Sequence, residues 1–257
     1  MKRFLSLFLA VTLLSGCSLM KNIHWDEAQL QQAAAQALTA ATITDAQVIA
    51  LSQQTVKQLD AQNTLAAESY QKRLGNLLSG IKDIEGMTIN YKVYNTEEVN
   101  AFACGDGSIR VYSGLMDIMD DSELMAIIGH ECGHVVHQDS KKAMKSAYLA
   151  SAARGLISAT GGTIGTLSKS VLGDIGESFI SSQHSQKQEF AADEYGYKFS
   201  TEHGFSPYSM SNALEKLVEL AGSSRSSVVQ KMFASHPDSA ERAKRMREKA
   251  DAESKKH

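Results

Sequence analysis

Proline is nearly absent from the 257-residue sequence, which contains it only at Pro207 and Pro237. Because proline interrupts helices, its scarcity leaves long stretches free to be helical. Ala, Gln, Leu, Lys and Glu, which favour helices, are plentiful. The composition therefore predicts a helix-rich protein. Its 43% hydrophobic residues are enough for the core of one ordinary domain.

The sequence also lacks a long basic run, and its formal net charge is −3. Because nucleic acids are bound through clustered lysine and arginine, this balance gives no electrostatic reason to expect a nucleic acid as partner. After residue 20, no apolar run is long and uncharged enough to cross a bilayer. The nearest, residues 147–167, is interrupted by Arg154 and four glycines, and it predicts a helix that ends in a Gly-rich loop.

The first twenty residues, MKRFLSLFLAVTLLSGCSLM, are set apart from the folded chain by their pattern. A short basic start precedes an apolar stretch at residues 4–14, which is too short to span a bilayer, and small residues then lead to Cys17. This segment resembles a bacterial lipoprotein signal. The resemblance implies that residues 1–16 are removed, that Cys17 carries a lipid anchor, and that Ser18 sends the protein to the outer membrane, with its domain in the periplasm. The alternative is an ordinary cleaved signal peptide with a chance cysteine.

Two cysteines remain, Cys104 and Cys132. The periplasm is oxidising, so a disulfide between them is one possibility. On a helix, however, Cys132 points away from the neighbouring histidines and into the core. A buried free thiol is therefore the favoured interpretation.

Helices are predicted on both sides of a short strand region. Apolar residues at helical spacing predict two helices within residues 24–63, divided by a cap at Thr44 and Asp45, and a further helix at residues 68–81. From Leu115 onward the chain reads as helix. The predicted loops are residues 161–162, Gly173, residues 203–207 and residues 223–227.

The only strand signals lie between residues 87 and 113. Residues 87–95 alternate apolar and polar side chains, as a half-buried strand does. Residues 100–103 and Ser108–Tyr112 predict two short strands joined by a Gly-Asp-Gly turn. A small sheet embedded in helices predicts an α+β fold that is predominantly helical. The expected organisation is a signal peptide at residues 1–16, a tether at 17–43, a folded domain at 44–250 and a tail at 251–257.

The segment IIGHECGHVV places two histidines and a glutamate in an apolar run. On a helix, His130 and His134 lie one turn apart on the same face, so both imidazoles can reach one ion. Glu131 lies on the flank of that face, where it can activate a water. Asp120 or Asp121 is a suitable helix cap. The alternative is an amphipathic helix with chance histidines.

Catalytic zinc needs a third protein ligand. His137 would lie about 10 Å from His130 along the helix axis, too far to share the ion. Glu189 and Asp193 are again four residues apart, and apolar neighbours place them on a partly buried face. Glu189 can bind zinc, while Asp193 can accept the N–H of a ligating histidine. The alternative is a surface helix rich in acids.

Four segments resemble one zinc metallopeptidase family. HECGH followed by EFAAD, the segment NAFACGDGSIRVYSGLM and the segment SHPDSAERAKRM are similar to motifs of the group that includes HtpX, the CAAX prenyl proteases and the OMA proteases. The resemblance covers about residues 45–250. Together with the signal, it is most similar to outer-membrane lipoprotein proteases of this group, and it implies a gluzincin-like metalloprotease domain.

The resemblance implies a role for each matching residue. The implied ligands of one zinc ion per chain are His130, His134 and Glu189. Glu131 would be the general base, and Asp193 a supporting carboxylate or proton donor. His236 would face the zinc, either as an extra ligand in a latent state or as a hydrogen-bond donor to the oxyanion.

An edge strand that binds an extended peptide by strand addition is also implied. Its residues are Ser108, Ile109, Arg110, Val111 and Tyr112. Two positions depart from the family pattern. Asp139 stands where relatives often have histidine, and residues 104–107 read Cys-Gly-Asp-Gly. Neither departure is expected to contact a zinc ligand, so both bear on specificity more than on catalysis.

The function implied is a zinc endopeptidase of the bacterial envelope that cleaves extended or misfolded periplasmic and outer-membrane proteins. The main alternative is a latent or chaperone-like zinc-binding lipoprotein without routine turnover, which ligation by His236 would favour. A further alternative is a zinc hydrolase that cleaves another bond, such as a cell-wall amide.

Overall fold

A computed structural model of the protein describes residues 43–154 and 167–255. The α-helices are, in chain order, α1 (Asp45–Gln62), α2 (Glu68–Leu77), α3 (Ser113–Ile118), α4 (Asp121–Val136), α5 (Asp139–Ala153), α6 (Lys169–Ile180), α7 (Gln186–Glu202), α8 (Ser209–Ala221), α9 (Gln230–Ser235) and α10 (Ser239–Ser254). A 3₁₀ turn (Ser226–Val229) precedes α9. The strands are β1 (Asp83–Ile84), β2 (Met87–Thr88), β3 (Asn90–Tyr94), β4 (Ala101–Ala103) and β5 (Ser108–Tyr112). The predicted predominantly helical α+β fold is confirmed.

Several predicted features fall outside the described residues. They are the signal peptide at residues 1–16, the lipid-bearing Cys17, nearly all of the tether at residues 17–43, the first predicted helix within residues 24–63 and the loop at residues 161–162. Within residues 43–154 and 167–255, no helix combines the length and apolarity that a membrane span requires.

Helix boundaries follow the predicted caps in most places. Thr44 caps α1, as predicted. Its hydroxyl accepts from the Gln47 backbone N–H, and the Gln47 side chain accepts from the Thr44 backbone N–H. The helix predicted over residues 68–81 ends earlier, at Leu77. Gly173 was predicted to lie in a loop, which is wrong, because it lies inside α6.

The strand predicted over residues 87–95 is divided at Ile89. Its first part, β2, pairs antiparallel with β1, and its second part, β3, pairs parallel with β5. The division arises because Ile89 N–H donates to Lys82, whereas Asn90 N–H donates to Gly107. The segment that the sequence predicted as one strand therefore contributes a strand to each of two separate sheets.

The prediction that Ser108–Tyr112 forms an edge strand is wrong. The three-stranded sheet has the order β3-β5-β4, so β5 is central and its backbone is paired on both sides. All five residues are buried, and the Arg110 guanidinium donates to both carboxylate oxygens of Asp60 on α1. A central strand has no free edge for a peptide. Among the described strands, β4 is the edge beside α4.

The three-stranded sheet has a hydrophobic core on each face, because alternate side chains point to opposite sides. Val93 and Val111 pack with residues of α2 and α4 on one face. Tyr94, Phe102 and Tyr112 pack with α1, α5 and α6 on the other. A third apolar cluster joins α4 to α7, α8 and α10, and its buried members are Ala126, Tyr197, Met210, Leu214, Ala243, Met246 and Ala250.

Glycines allow α4 and α7 to pack backbone against backbone. A Cβ atom added to Gly196 of α7 would lie 2.7 Å from the His130 amide nitrogen and 2.7 Å from the Ala126 oxygen. On α4, a Cβ at Gly129 would lie 2.9 Å from the Gly196 Cα, and one at Gly133 would lie 3.0 Å from the Ala192 Cα. Real Cβ atoms essentially never lie within 3.0 Å of backbone, so the helix spacing depends on Gly196 and Gly129, and a Cβ at Gly133 would also be unusually crowded.

Cys104 and Cys132 are both buried free thiols, as the sequence favoured. Burial raises the pKa of the Cys104 thiol well above its usual range, and it does the same for Cys132. Both thiols are therefore protonated and unreactive.

The variant Gly196→Ala tests the close approach of α4 and α7. We expect it to lower the free energy of unfolding by about 2–3 kcal/mol, because the added methyl meets backbone that cannot move aside. Chemical denaturation followed by circular dichroism measures the change. Gly173→Ala is the matched control, since its Cβ would meet only the flexible end of Gln62 at 3.2 Å. Equal stability of Gly196→Ala and the wild type would contradict the proposed constraint.

Candidate metal centre

His130 and His134 are positioned by α4, whose residues from Glu123 to Val135 are buried. The helix begins at the predicted cap Asp120, whose carboxylate accepts from Glu123 N–H while the Glu123 carboxylate accepts from Asp120 N–H. One helical turn separates the two imidazoles on the same face. Their Nε2 atoms lie 3.1 Å apart.

Glu189 converges on these imidazoles from the first turn of α7. Its Oε1 lies 3.3 Å from His134 Nε2, and its Oε2 lies 3.7 Å from His130 Nε2. Glu189 and Asp193 are completely buried, so the alternative of a surface helix rich in acids is excluded. The structure therefore brings together the three residues that the sequence predicted as ligands.

The donor spacing fits a tetrahedrally coordinated metal ion. Two ligand atoms at 2.0–2.1 Å from zinc, in tetrahedral arrangement, lie about 3.3 Å apart. Within the described part of the chain, one group of candidate donor side chains has all its donor atoms within 4.8 Å of one another. Its members are His130, His134, Glu189 and His236. The donor set of imidazoles and one carboxylate is typical of zinc.

Asp193 supports His130 from the side away from the donors. Its Oδ1 lies 2.9 Å from His130 Nδ1, which leaves Nε2 directed at the other donors. This is the contact that the sequence predicted. Burial raises the pKa of Asp193, but the charge and hydrogen bonds of Arg242 and His130 outweigh it and lower the pKa to about 2. The carboxylate is therefore ionised at neutral pH.

Arg242 joins the two buried carboxylates of α7. It donates from Nε to Asp193 Oδ2 at 2.8 Å and from Nη2 to Asp193 Oδ1 at 2.7 Å, while its Nη1 lies 2.5 Å from Glu189 Oε2. Its side chain is only 2% exposed. The motif SHPDSAERAKRM contains Arg242, but sequence reasoning gave it no role. The motif itself could have identified Arg242, because it contains this arginine together with His236.

Asp139 contacts His134, so the expectation that this departure lies apart from the ligands is wrong. Its Oδ2 is 3.4 Å from His134 Nδ1, and its Oδ1 accepts from Gln188 Nε2 at 2.7 Å. Burial raises the pKa of Asp139, but hydrogen bonds from His134, Gln188 and Lys142 hold it well below its usual range. The carboxylate is therefore ionised beside the imidazole. The contact arises because the turn after α4 brings the start of α5 back toward His134.

His236 follows α9 and lies inside the donor cluster. Its Nδ1 is 3.1 Å from Glu189 Oε1 and 3.3 Å from His130 Nε2. Its Nε2 is 3.7 Å from Glu131 Oε1. The Glu131 side chain is buried, and this oxygen has no hydrogen-bond partner among the described residues. The arrangement places a carboxylate oxygen without a hydrogen-bond partner beside the donors, and Glu131 is not itself one of the donors.

His184 is a further imidazole at the centre that sequence reasoning missed. Its ring stacks on that of His134, with centroids 3.9 Å apart, and its backbone N–H donates to the Ser235 carbonyl next to His236. Burial and the neighbouring imidazoles lower the pKa of His184 to about 3, so the ring is neutral. No sequence motif contains it. His137, as predicted, lies outside the cluster, exposed against the ring of Tyr195.

Comparison with known proteins agrees with this geometry. Peptidase family M48 matches residues 71–250, and a prokaryotic membrane lipoprotein lipid attachment site matches residues 1–18. Metalloprotease LoiP of Escherichia coli (strain K12) is 42% identical over 245 residues, which cover 94% of each chain. Metalloprotease YcaL of the same strain is 38% identical over 252 residues, 96% of each chain. A beta-barrel assembly-enhancing protease of Yersinia pestis is 27% identical over 194 residues, 70% of this chain and 39% of that protein.

The likeness inferred from the four motifs is confirmed along most of the chain. The family match includes both site helices and the loop with His236. Its members LoiP and YcaL extend the similarity to nearly full length. The chain therefore belongs to peptidase family M48 and is a metallopeptidase.

Proposed function

We propose that the protein is a zinc endopeptidase that cleaves extended or misfolded proteins of the bacterial envelope. The observation that supports this most directly is the meeting of two imidazoles and one carboxylate, beside a buried carboxylate oxygen of Glu131 that has no hydrogen-bond partner among the described residues. A structural zinc site has no need of such a carboxylate, whereas hydrolysis needs a general base. His130, His134 and Glu189 are the proposed ligands.

A zinc ion held by His130, His134 and Glu189 would supply Lewis acidity toward a peptide carbonyl and a water. The residues of the chain then handle the proton. Glu131 accepts it from the attacking water and delivers it to the leaving amine. Asp193 keeps the proton of His130 on Nδ1, and Arg242 pairs with both carboxylates of α7 and holds them in place.

The proposed peptide-binding strand is β4 rather than β5. Because β4 pairs with β5 on one side only, the alternating main-chain groups of Ala101 and Ala103 point toward its outer edge. The strand packs on α4, the helix that carries Glu131. A strand-addition site selects substrates with extended backbone, which unfolded proteins provide.

The lipid attachment match supports anchoring at Cys17. We propose cleavage of residues 1–16, a tether at residues 17–43, a periplasmic domain at residues 44–250, a short tail at residues 251–257, and location in the outer membrane. Its partners are then protein substrates and the membrane that holds the lipid. The name of the Yersinia protease, which refers to beta-barrel assembly, is consistent with an envelope role.

Membrane fractionation tests this location. We expect the wild type to sediment with outer membranes, and Cys17→Ala to be lost from that fraction, because the variant lacks the residue that receives the acyl chains. Recovery of the wild type with inner membranes would contradict the proposed location, and retention of Cys17→Ala in the outer membrane would contradict the anchor.

A latent state is supported by a separate observation. His236 lies near enough to the proposed ligands to be a fourth, and four protein ligands are typical of zinc sites without an open position. The residues of β4 are also at most 5% exposed. We therefore propose that the described conformation is a resting state of the peptidase, and that His236 must leave before water and substrate can bind.

If Glu131 is the base and Glu189 is a ligand, their removal should have different effects: the first should lower cleavage, and the second should lower the zinc content. Glu131→Gln should lower casein cleavage by about 10²–10⁴-fold, because it removes the base, yet keep about one zinc per chain. Glu189→Ala should lose most of its zinc, and a chelator should abolish wild-type cleavage. Metal analysis beside a casein assay measures both. Glu194→Ala, which changes a half-buried neighbour on α7 that is not a proposed ligand, should behave as the wild type. Full zinc retention by folded Glu189→Ala would exclude that residue as a ligand.

The variant His236→Ala separates the two proposed roles of this residue. If His236 closes a resting site, its removal should raise casein cleavage several-fold while zinc remains bound by the other three ligands. His137→Ala, which changes an exposed histidine, is the control. A loss of cleavage with normal zinc content would contradict the resting-state proposal, and it would assign His236 to stabilisation of the oxyanion.

A further inference from the structure

Asp139 is a buried acid at the edge of the metal centre, and it is not one of the donors. It is 2% exposed, and its carboxylate faces His134 Nδ1 at 3.4 Å. The opposite nitrogen, His134 Nε2, lies 3.1 Å from His130 Nε2 and 3.3 Å from Glu189 Oε1. The ring therefore turns one nitrogen to the donors and the other to Asp139. A buried carboxylate is costly unless it is paired, so this position needs partners.

The backbone before Asp139 is arranged to bring it there. Helix α4 ends at Val136, and Gln138 adopts the left-handed conformation with φ 65°, which reverses the chain before α5 begins at Asp139. Residues other than glycine rarely adopt this conformation, and it persists where surrounding contacts require it. The reversal brings the carboxylate of Asp139, the first residue of α5, next to His134 in the last turn of α4.

Gln188 holds the carboxylate from the other site helix. Its amide donates to Asp139 Oδ1 at 2.7 Å, while its Oε1 accepts from the Ser185 N–H at 2.9 Å within the cap of α7. Gln188 also precedes Glu189 in the chain. One side chain thus connects the start of α7, which carries the third proposed ligand, to the acid beside the second.

The two histidines of α4 are supported in the same way. His130 Nδ1 faces Asp193, and His134 Nδ1 faces Asp139, so each imidazole has its own carboxylate. A carboxylate at Nδ1 fixes the proton there and leaves the Nε2 lone pair for a metal. We propose that Asp139 is a positioning residue that, held by Gln188, orients His134 for zinc. This inference rests on the proposed zinc site, and it assigns a function to the position where the sequence departs from the family pattern.

Zinc affinity tests the inference directly. The full-length protein in detergent would be titrated with zinc against a chromophoric chelator, as wild type, Asp139→Asn and Asp139→Ala. We expect Asp139→Ala to raise the zinc dissociation constant by about 10- to 100-fold, as loss of such partners does. Asp139→Asn should give a smaller increase, since its amide oxygen can still accept the N–H. Lys142→Ala is the control, because Lys142 contacts the Asp139 carboxylate but is exposed.

A spectrum distinguishes positioning of the ligand from general support of the fold. The visible absorption bands of bound Co²⁺ should shift in both Asp139 variants and stay unchanged in Lys142→Ala. Circular dichroism shows whether each variant is folded, and the isosteric Asn variant serves if Ala is not. Wild-type zinc affinity and Co²⁺ bands in both folded variants would overturn the inference. Failure of the wild type to bind zinc would instead overturn the proposed function.

Discussion

The metal centre depends on how closely α4 and α7 approach each other. Ligands on two helices can share one ion only if the helix axes are near enough for short side chains to meet. Glycine at Gly129, Gly133 and Gly196 removes the side chains that would otherwise separate the backbones. Both histidines of one helix then face the carboxylates of the other. The same close contact excludes solvent, which explains why every proposed donor is buried.

Burial of so many acids requires compensating positive charge. Glu189 and Asp193 are completely buried, and Arg242 contacts both of them. Removing water strengthens these interactions, but it also makes each unpaired charge costly. Arg242 therefore lets the carboxylates stay ionised, and a divalent cation adds further balance. Because Arg242 belongs to α10, the last helix described, the centre depends on packing beyond the two helices that carry the ligands.

Local sequence patterns predicted the site where its geometry is local. The spacing of His130 and His134 specifies one helix face, and the apolar residues around Glu189 and Asp193 indicated burial. Their convergence came from the family resemblance rather than from spacing, because no local rule relates residues on different helices. The cap at Asp120 and the histidine pair could both be predicted, because such short-range features depend on a few neighbouring residues.

Features that depend on tertiary arrangement were missed. The residues of β5 alternate and include charged Arg110, and this pattern does not distinguish an edge strand from a central one whose arginine is paired with Asp60. Asp139 looked independent of the ligands because it follows the site helix by a turn, and the left-handed Gln138 that returns it to His134 left no clear sequence signal. His184 belongs to no motif, and only packing brings it to His134.

The residues of the metal centre lie far apart along the chain, so they are made at different times during biosynthesis. A chain is synthesised from its N-terminus, and residues that have not yet been made cannot contribute contacts. His130 can form its helix early, yet Arg242 follows 112 positions later. A partly synthesised chain therefore has its imidazoles but lacks the arginine that pairs with the two buried carboxylates of α7. The metal centre can accordingly be completed only after α10 has been made and has packed against α7.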